Sequence, residues 1–543
     1  MFRRAFSSRV KIFTANSSEI NKLNGTMHKN GIELTKERGE FLNNFWRENP
    51  FYQFLGCSTG ISAVNVVAGG RGRVGPYVGG WQINAMKNRL QETMPDTLHV
   101  SPEEPANCAT EVNNHIWKAD AIQLLNNDNS SNYHNFALLA DLEQGWSTPE
   151  KTRLAVKRAI QSGINIMHIE DQGPFKRCGH LGDKELCPIV DYELIMKSAN
   201  FAAQEMLGSE QPVKNWVRFV ARTDALSAKR ILYSKNLEDK NHIDNKFIDW
   251  KKGFSGDGKY LFLKQGINPE TGKKYGLEMS IARTSYIVKK GLASLVWMET
   301  PDADLNDAKD YISGVNNELA KVDMYATGLY NHSPSFDWDV KFYENAKKLA
   351  KIITEKYKTG HLRGFLELNG DTIQGDNKFD EKGIKNLELA IQDFRNNKQY
   401  KYNFTEQDYY LNKFQETNFK TPYDVICDEI VTQRLKLFEN QLANFGYNAH
   451  LITLPEYHVM AFGMFRLAEQ FHQEGIWAYV NQIQRPERIK FEEKNGYKYY
   501  KHQTMTGTGL ESYFNQCVGS SNNNILSGST ETDDAKKRCD EEH

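Results

Sequence analysis

The sequence predicts an α/β protein built on a (β/α)8 TIM-type barrel with a helical N-terminal region, loop insertions and C-terminal helices. Short, nearly continuous apolar strands alternate with helical stretches, which is typical of a parallel sheet covered on both faces. Seven of these strands run directly into polar residues. A barrel gathers all its strand ends on one face, where its active site lies, whereas a doubly wound sheet would place such residues at one or two strand ends.

The seven strands are predicted from short apolar runs. The first ends at residues 77–78, and the others cover 136–140, 164–169, 216–221, 294–298, 324–330 and 450–453. Helical spacing of apolar residues separates them, as in 150–161. In chain order the strands lead into Gly80-Trp81, Asp141/Glu143, His168/Glu170, Arg222/Asp224, Glu299, Asn331/Ser333/Ser335 and Thr453.

Composition narrows the class of protein. The 543 residues are 39% hydrophobic and carry 68 basic against 69 acidic side chains, so a disordered chain is excluded. The balanced charge predicts no nucleic-acid or membrane partner, and no apolar run approaches the roughly 20 residues that a bilayer requires. The seven cysteines are scattered without a CxxC pair, which favours a reducing compartment over a disulfide framework or a zinc site.

The domain organisation follows from shifts in composition. We predict a mitochondrial targeting segment over 1–18, because it is basic, acid-free and amphipathic, with a frayed basic N-terminus as the alternative. An N-terminal helical region is predicted over 19–75. The barrel is predicted to begin at 76 and to run to 344, with a polar loop insertion at about 234–276. A helical subdomain inserted at 345–428, the barrel end with C-terminal helices at 429–519 and a disordered tail at 520–543 complete the chain.

One short run carries most of the chemical information. Lys176-Arg177-Cys178-Gly179-His180 surrounds a cysteine with three cations, and neighbouring cations favour the reactive thiolate. Cys178 is therefore predicted to give and take a proton near neutral pH. On charge alone, a basic surface loop with an incidental cysteine is the more common explanation of such a run.

Carboxylates follow two consecutive strands, at Asp141/Glu143 and at Glu170/Asp171. Mg²⁺ binds one or two carboxylates together with water and substrate oxygens, so these acids predict an open magnesium site. Capping of the following helices is the alternative for each acid taken singly.

Other strand ends suit a substrate that carries carboxylates. Arg222 suits bidentate binding of a carboxylate, and Asn331, Ser333 and Ser335 alternate along an extended loop, although turn formation is their ordinary role. Thr453 is equally explained as a β-branched strand residue, and Trp81 as a core residue.

These motifs together resemble the isocitrate lyases. The run Lys-Arg-Cys-Gly-His-Leu at 176–181 matches the signature of that family. Eight further elements occur before and after it, in the same order along the chain as in the family. The resemblance covers about 56–514 and is greatest to the longer form of the enzyme. The eight elements are Gly79-Gly80-Trp81-Gln82, Pro95-Asp96, Asp141-x-Glu143, Glu170-Asp171-Gln172, Ala221-Arg222-Thr223-Asp224, Trp297-Met298-Glu299-Thr300, residues 331–336 and Ile452-Thr453-Leu454.

The resemblance implies a retro-aldol cleavage of isocitrate to glyoxylate and succinate that depends on Mg²⁺, with Mn²⁺ as a substitute. It implies that Cys178 exchanges a proton with the carbanion that becomes succinate. The catalytic set implied is Cys178, His180, Lys176, Arg222 and Glu299. The substrate-binding set implied is Gly79, Gly80, Trp81, Gly179, His180, Arg222, Asn331, Ser333, Ser335 and Thr453. The metal ligand implied is Asp141, with Asp96, Glu143 and Glu170 acting largely through water.

The sequence departs from the family pattern at Gly79, Thr97, Asp183 and His332, none of which removes a catalytic group. A 2-methylisocitrate lyase would share the cysteine loop and remains an alternative, since one methyl group is worth only about 1–3 kcal/mol of discrimination. A catalytically silent scaffold is the alternative from another class. A carbon–carbon hydrolase or mutase on the same barrel would not account for the cysteine loop.

The resemblance also implies partners and a place in metabolism. We expect a small tricarboxylate substrate, a role in the glyoxylate cycle and a homotetramer in which neighbouring barrels exchange a helix. The N-terminus predicts the mitochondrial matrix, with glyoxysome or peroxisome and cytoplasm as alternatives.

Overall fold

The computed structural model describes residues 15–27, 29–87, 96–128, 131–208, 215–300, 305–331, 438–487 and 498–520. The strands in these ranges are, in chain order, β1 (Tyr52–Gly56), β2 (Val74–Val78), β3 (Leu139–Asp141), β4 (Ile166–Glu170), β5 (Glu185–Leu186), β6 (Arg218–Thr223), β7 (Arg230–Leu232), β8 (Tyr260–Phe262), β9 (Leu295–Met298), β10 (Thr327–Tyr330) and β11 (Tyr447–Ile452).

Eight of these strands close into a parallel barrel in the order β1-β2-β3-β4-β6-β9-β10-β11, with β11 pairing back onto β1. The predicted fold class is therefore confirmed. All seven strands predicted from the sequence are present, with bounds shifted by a few residues.

Helices precede, connect and follow the barrel strands. In chain order they are α1 (Ser17–Asn24), α2 (Gly31–Glu48), α3 (Gly60–Gly70), α4 (Gly80–Met86), α5 (Glu104–Leu125), α6 (Pro149–Gln161), α7 (Ile189–Leu207), α8 (Tyr275–Lys289), α9 (Leu305–Ala320), α10 (Phe438–Phe445), α11 (Pro455–Glu474), α12 (Ile476–Tyr479), α13 (His502–Met505) and α14 (Thr508–Cys517). In the ranges that the structure describes, no helix is both long and apolar enough to cross a membrane.

The barrel begins earlier than the predicted boundary at residue 76. β1 lies inside the region predicted to be helical, and it pairs with both β2 and β11. Its five residues alternate between buried and partly exposed positions, so they lack the continuous apolar run that marks the other strands.

The barrel interior is filled by side chains that alternate along the strands. Tyr52, Phe54, Trp297 and Leu451 are among these fully buried residues. Below them α2 lies across the amino ends of the strands, where Trp46 donates a hydrogen bond to the carbonyl of Asn448 just inside β11. The interior is thus closed at one end and opens toward the carboxyl ends of the strands.

The predicted loop insertion at 234–276 is partly ordered into a small sheet. Its strand β8 pairs antiparallel with β7, and β7 pairs with β5. The predicted subdomain at 345–428, most of the predicted tail (521–543) and residues 1–14 of the predicted targeting segment lie outside the described residues.

A fully buried arginine joins the outer helix α8 to the barrel. Arg283 donates from Nε to Asp171 Oδ2 and from Nη1 to Asp244 Oδ1, at 2.7 Å in each case, and all three side chains are inaccessible to solvent. A third donor, Nη2, reaches the carbonyl of Cys187 at 2.8 Å. Because the charges are paired, their burial is tolerated.

We expect Arg283→Met to destabilise the fold by about 3–5 kcal/mol, because it leaves two buried carboxylates without a counter-charge. The measurement is the shift of the unfolding midpoint in urea and on heating. Arg153→Met is the matched control, since Arg153 pairs with Glu205 on the exposed surfaces of α6 and α7 and should cost less than about 1 kcal/mol. Equal shifts for the two variants would contradict the conclusion that Arg283 neutralises two buried carboxylates.

Candidate active site

The predicted functional residues meet at the open end of the barrel. Asp141 and Glu170 are the last residues of β3 and β4, and Arg222 lies near the end of β6. Glu299 and Asn331 follow β9 and β10 directly. All five side chains are buried, so the rim forms a charged centre shielded from bulk water.

Asp141 is held from two sides. Its Oδ1 accepts the amide of Glu143 at 2.7 Å, and its Oδ2 accepts the amide of Gly80 at 3.2 Å. A β-carbon on Gly80 would lie 2.8 Å from Asp141 Oδ2 and 2.4 Å from Glu143 Oε1, so the approach of α4 to these acids requires glycine. Glu143 itself adopts a left-handed φ of 52°, an unfavourable conformation that is typical of functional sites.

The charge on Asp141 is maintained by its neighbours. Burial alone would raise its pKa, but His168, Lys176 and Arg222 together lower the pKa below the usual value. Burial lowers the pKa of His168 to about 4. His168 is therefore neutral at pH 7, and the lysine and the arginine supply the positive charge.

Lys176 is a fully buried cation that bridges two acids. Its Nζ lies 2.6 Å from Asp96 Oδ1 and also contacts Glu143 Oε2. Burial would lower the pKa of Lys176, but these negative charges raise it above its usual value. Burial raises the pKa of Glu143 to about 8.

Arg222 is surrounded by three carboxylates. Its guanidinium lies 3.1 Å from Glu170 Oε2, 3.2 Å from Asp224 Oδ2 and 3.6 Å from Glu299 Oε2. Its plane also lies over the ring of Trp297, 4.5 Å from the centroid. Burial would lower the pKa of the guanidinium, but the three acids raise it, so the group is a fixed positive charge.

The acids fit a divalent cation that is completed by substrate and water. The carboxylates of Glu143 and Glu170 are buried, and each has one oxygen beside a cation, Lys176 at Glu143 Oε2 and Arg222 at Glu170 Oε2. The other oxygen of each, Oε1, has no hydrogen-bond partner among the described residues. The described residues contain no preformed group of three or more metal-ligating side chains. Mg²⁺ does not need such a preformed group, because it keeps several waters and binds only one or two carboxylates.

The cysteine loop follows β4 and is fixed at two points over the rim. Gln172 exchanges two hydrogen bonds with the backbone of Arg177, at 2.8 and 2.9 Å. The buried ammonium of Lys184 donates to the carbonyl of Gly179 at 2.7 Å and to Asp224 at 2.8 Å. Gly179 lies against Glu299, where an added β-carbon would be 2.3 Å from Oε1.

The prediction that three cations activate Cys178 is wrong for this conformation. Lys176 is committed to Asp96 and Glu143, and Arg177 points outward to Asp183, 3.8 Å away. The exposed ring of His180 has its Nδ1 3.9 Å from Glu299 Oε1. Burial raises the pKa of the Cys178 thiol to about 11, with a further contribution from Asp96, so the residue is a neutral thiol.

The remaining predicted substrate residues lie around the same opening. Gly79 caps α4, and Trp81 in its first turn packs edge-on against Tyr457 at 5.0 Å. Asn331 donates to Glu299 Oε2 at 2.8 Å, and Thr453 directly follows β11. Ser333 and Ser335 lie outside the described residues.

The predicted site omitted three buried residues that shape it. His168 Nε2 lies 3.0 Å from the hydroxyl of Tyr77, and its Nδ1 lies 3.6 Å from Asp141. Lys184 and Asp224 hold the cysteine loop and Arg222. His168 and Asp224 both gave a signal in the sequence, since each is a polar residue at the end of a predicted strand, whereas Lys184 gave none. Asp183, where the family pattern has glycine, adopts a φ of 60°, which Asp tolerates better than most residues.

Comparison with known proteins shows which proteins this chain resembles in sequence. An isocitrate lyase of Halalkalibacterium halodurans is 25% identical over 520 residues, which cover 94% of this chain and 91% of that protein. The chain is a relative of the isocitrate lyases. The resemblance predicted from the motifs is thus confirmed, and with it the enzyme class, a carbon–carbon lyase.

Two further comparisons show similarity to part of a longer protein and a weak similarity to a solved structure. A bifunctional glyoxylate cycle protein of Caenorhabditis elegans is 25% identical over 497 residues, which span 90% of this chain but only 39% of that protein. A solved 2,3-dimethylmalate lyase aligns with 91% of this chain and 97% of its own, at a TM-score of 0.44 and 12% identity. No family model matches the chain.

We expect Cys178 to react slowly with iodoacetamide at pH 7.5 in metal-free buffer, because the raised thiol pKa leaves little thiolate. The rate should keep rising with pH and should not level off below about pH 10. Mass spectrometry of the labelled peptide measures it, with glutathione as the reference thiol. A plateau near pH 8 would show that the thiol is activated before substrate binds.

Proposed function

We propose that the protein cleaves isocitrate to glyoxylate and succinate with the help of Mg²⁺. The observation that supports this most directly is a neutral cysteine thiol on a loop anchored beside Glu299, above a rim that carries Asp141 and Arg222. A neutral thiol is the form that can donate a proton, and a carbanion is what the cleavage must protonate.

The proposed reaction breaks the bond between the hydroxyl-bearing carbon and its neighbour. The hydroxyl proton passes to the acids of the rim, and that carbon becomes the aldehyde of glyoxylate. The bonding electron pair stays on the neighbouring carbon, which takes a proton from Sγ of Cys178 and becomes a methylene of succinate. Cys178 is then a thiolate and must be reprotonated before the next turnover.

The buried cations would bind and orient the substrate. The guanidinium of Arg222 matches a carboxylate in charge and geometry, and a substrate carboxylate would compete with the acids that now surround it. The amide of Asn331 lies beside Glu299 and can turn to the same ligand. Asp141, with Glu143 and Glu170, would hold Mg²⁺, which when bound polarises the substrate oxygens as a Lewis acid.

The cysteine loop would exclude water from the carbanion. Its two anchors, the pair of hydrogen bonds at Gln172 and the contact of Lys184 with Gly179, hold the loop on which Cys178 lies half-buried. Opening of the loop to admit substrate must break at least one of these anchors.

We expect the wild-type chain to release glyoxylate from isocitrate only when Mg²⁺ is present, and to lose the activity in EDTA. Cys178→Ser should lower kcat about 10²- to 10⁴-fold, the usual contribution of a positioned proton donor. Trapping glyoxylate as its phenylhydrazone provides the assay. Cys517→Ser, in α14, is the matched control and should retain full activity.

Two outcomes would redirect the proposal. Pyruvate from 2-methylisocitrate, with little glyoxylate from isocitrate, would assign the protein to the 2-methylisocitrate lyases. No cleavage of either substrate by folded, Mg²⁺-loaded protein would favour a catalytically silent scaffold.

We also propose that α11 mediates association with further copies of this chain, as the predicted tetramer requires. Gln470 is the one buried residue of this 20-residue helix, whereas Val459, Met464 and Phe465 are 73%, 61% and 66% exposed. At 100° per residue these side chains point in different directions. A helix that is apolar on several sides needs a partner that encloses it. A flat contact with another protein would cover only one of those sides.

We expect Phe465→Glu to reduce the molar mass of the protein measured by light scattering after size exclusion. Phe201→Glu is the matched control, because Phe201 is an exposed aromatic residue on another helix, α7. A wild-type protein that runs as a monomer would contradict the proposal.

The compartment remains a separate proposal. The basic, acid-free N-terminus supports import into mitochondria, and a fusion of residues 1–18 to a fluorescent protein would test it.

A further inference from the structure

A second carboxylate centre lies on the rim where the last barrel strand meets the first. Glu456 stands in the first turn of α11, after β11. Its carboxylate accepts hydrogen bonds from the backbone amides and hydroxyl groups of Ser58 and Thr59, which follow β1. Gln82 of α4, which follows β2, donates its side-chain amide to Oε2 at 3.1 Å.

This carboxylate is built into the rim. The Ser58 hydroxyl lies 2.8 Å from Oε2 and the Thr59 amide 3.2 Å from Oε1, and both Ser58 and Gln82 are buried. Thr59 also caps the N-terminus of α3, where the helix dipole favours a negative charge. Hydrogen bonds to a charged acceptor are stronger than neutral ones, so one side chain fastens three loops together.

The three loops include the one that carries predicted substrate residues. Gln82 directly follows Trp81, and Gly80 donates its amide to Asp141 at 3.2 Å. The ring of Trp81 packs on Tyr457, the residue after Glu456. The first turn of α4 is therefore held by Asp141 on one side and by Glu456 and Tyr457 on the other.

The packing leaves little freedom for Gln82 to move. At Gly56, the last residue of β1, an added β-carbon would lie 2.2 Å from Gln82 Oε1 and 2.0 Å from the carbonyl oxygen of Thr453. The end of β1 thus lies directly against α4 and the segment after β11. Loss of the Glu456 acceptor would leave buried donors unpaired in a space without room to rearrange.

We propose that Glu456 is a positioning residue that keeps the first turn of α4 and Thr453 in the arrangement that binds substrate. This inference rests on the proposed function, since it concerns the same opening. Glu456 acts through Gln82 and the loop after β1. Its loss should therefore weaken substrate binding and leave proton transfer by Cys178 intact.

The test compares Glu456→Gln and Glu456→Ala with the wild-type holoenzyme in the glyoxylate assay. We expect Glu456→Gln, which keeps the shape but loses the charge, to raise KM at least about tenfold and to change kcat less than about threefold. In Glu456→Ala, added sodium formate should restore part of the lost kcat/KM, because a small carboxylate can occupy the vacated set of donors. A glutamate needed only for stability would lower the unfolding temperature and leave the KM of the folded protein unchanged.

Glu150→Gln is the matched control. Glu150 also follows a proline at the start of a rim helix, α6, but its side chain is exposed. It should leave KM unchanged with or without formate. Thermal unfolding of every variant distinguishes a variant that no longer folds from a folded variant in which the first turn of α4 is misplaced.

Hydrogen exchange separates this inference from the proposed function. The amides of Ser58 and Thr59 should exchange faster in Glu456→Gln than in wild type, whether or not the chain cleaves isocitrate. An absence of cleavage by wild type with faster exchange in the variant would overturn the function alone. An unchanged KM in a folded Glu456→Gln, or unchanged exchange at these amides, would overturn the positioning role.

Discussion

The buried carboxylate of Asp171 is the constraint on which the charged rim depends. It accepts Nε of Arg283 at 2.7 Å and the backbone amide of Asp224 at 2.9 Å, which fixes the end of β6 against the end of β4. Asp224 in turn contacts both Arg222 and Lys184. Arg222 and Lys184, of which the second also holds the cysteine loop through the carbonyl of Gly179, thus share one carboxylate whose position depends on Asp171.

The fold was predictable because fully buried strands appear in the sequence as short runs of apolar residues. β4 and β9 are buried along their whole length, so they read as short apolar runs, and the parallel arrangement follows from the helices between them. β1 has partly exposed positions and lies between two helices. Its five residues therefore do not stand out as an apolar run, and the sequence predicts a helical region there. The rim acids were predictable as well, since each directly follows a strand.

The interior geometry of the site was less predictable, because sequence neighbours do not fix where side chains point. Lys176 is two residues from Cys178, yet its ammonium is paired with Asp96, which is 80 residues away in the chain. The charge of Lys176 still acts to lower the pKa of the thiol, but burial and Asp96 outweigh it. Lys184 gave no signal either, since a lysine in a polar loop is ordinarily solvated and only the folded chain shows it buried.

The contact between Glu456 and Ser58 spans 398 residues of sequence, nearly the full span of the barrel. Contacts of such long range form late, because the chain must first close a loop of that length. The first turn of α4 therefore gains its contacts with Glu456 and Tyr457 only when the last strand has joined the first. A growing chain that has not yet reached α11 lacks the acceptor for this turn, so completion of the barrel and completion of the substrate opening coincide in time.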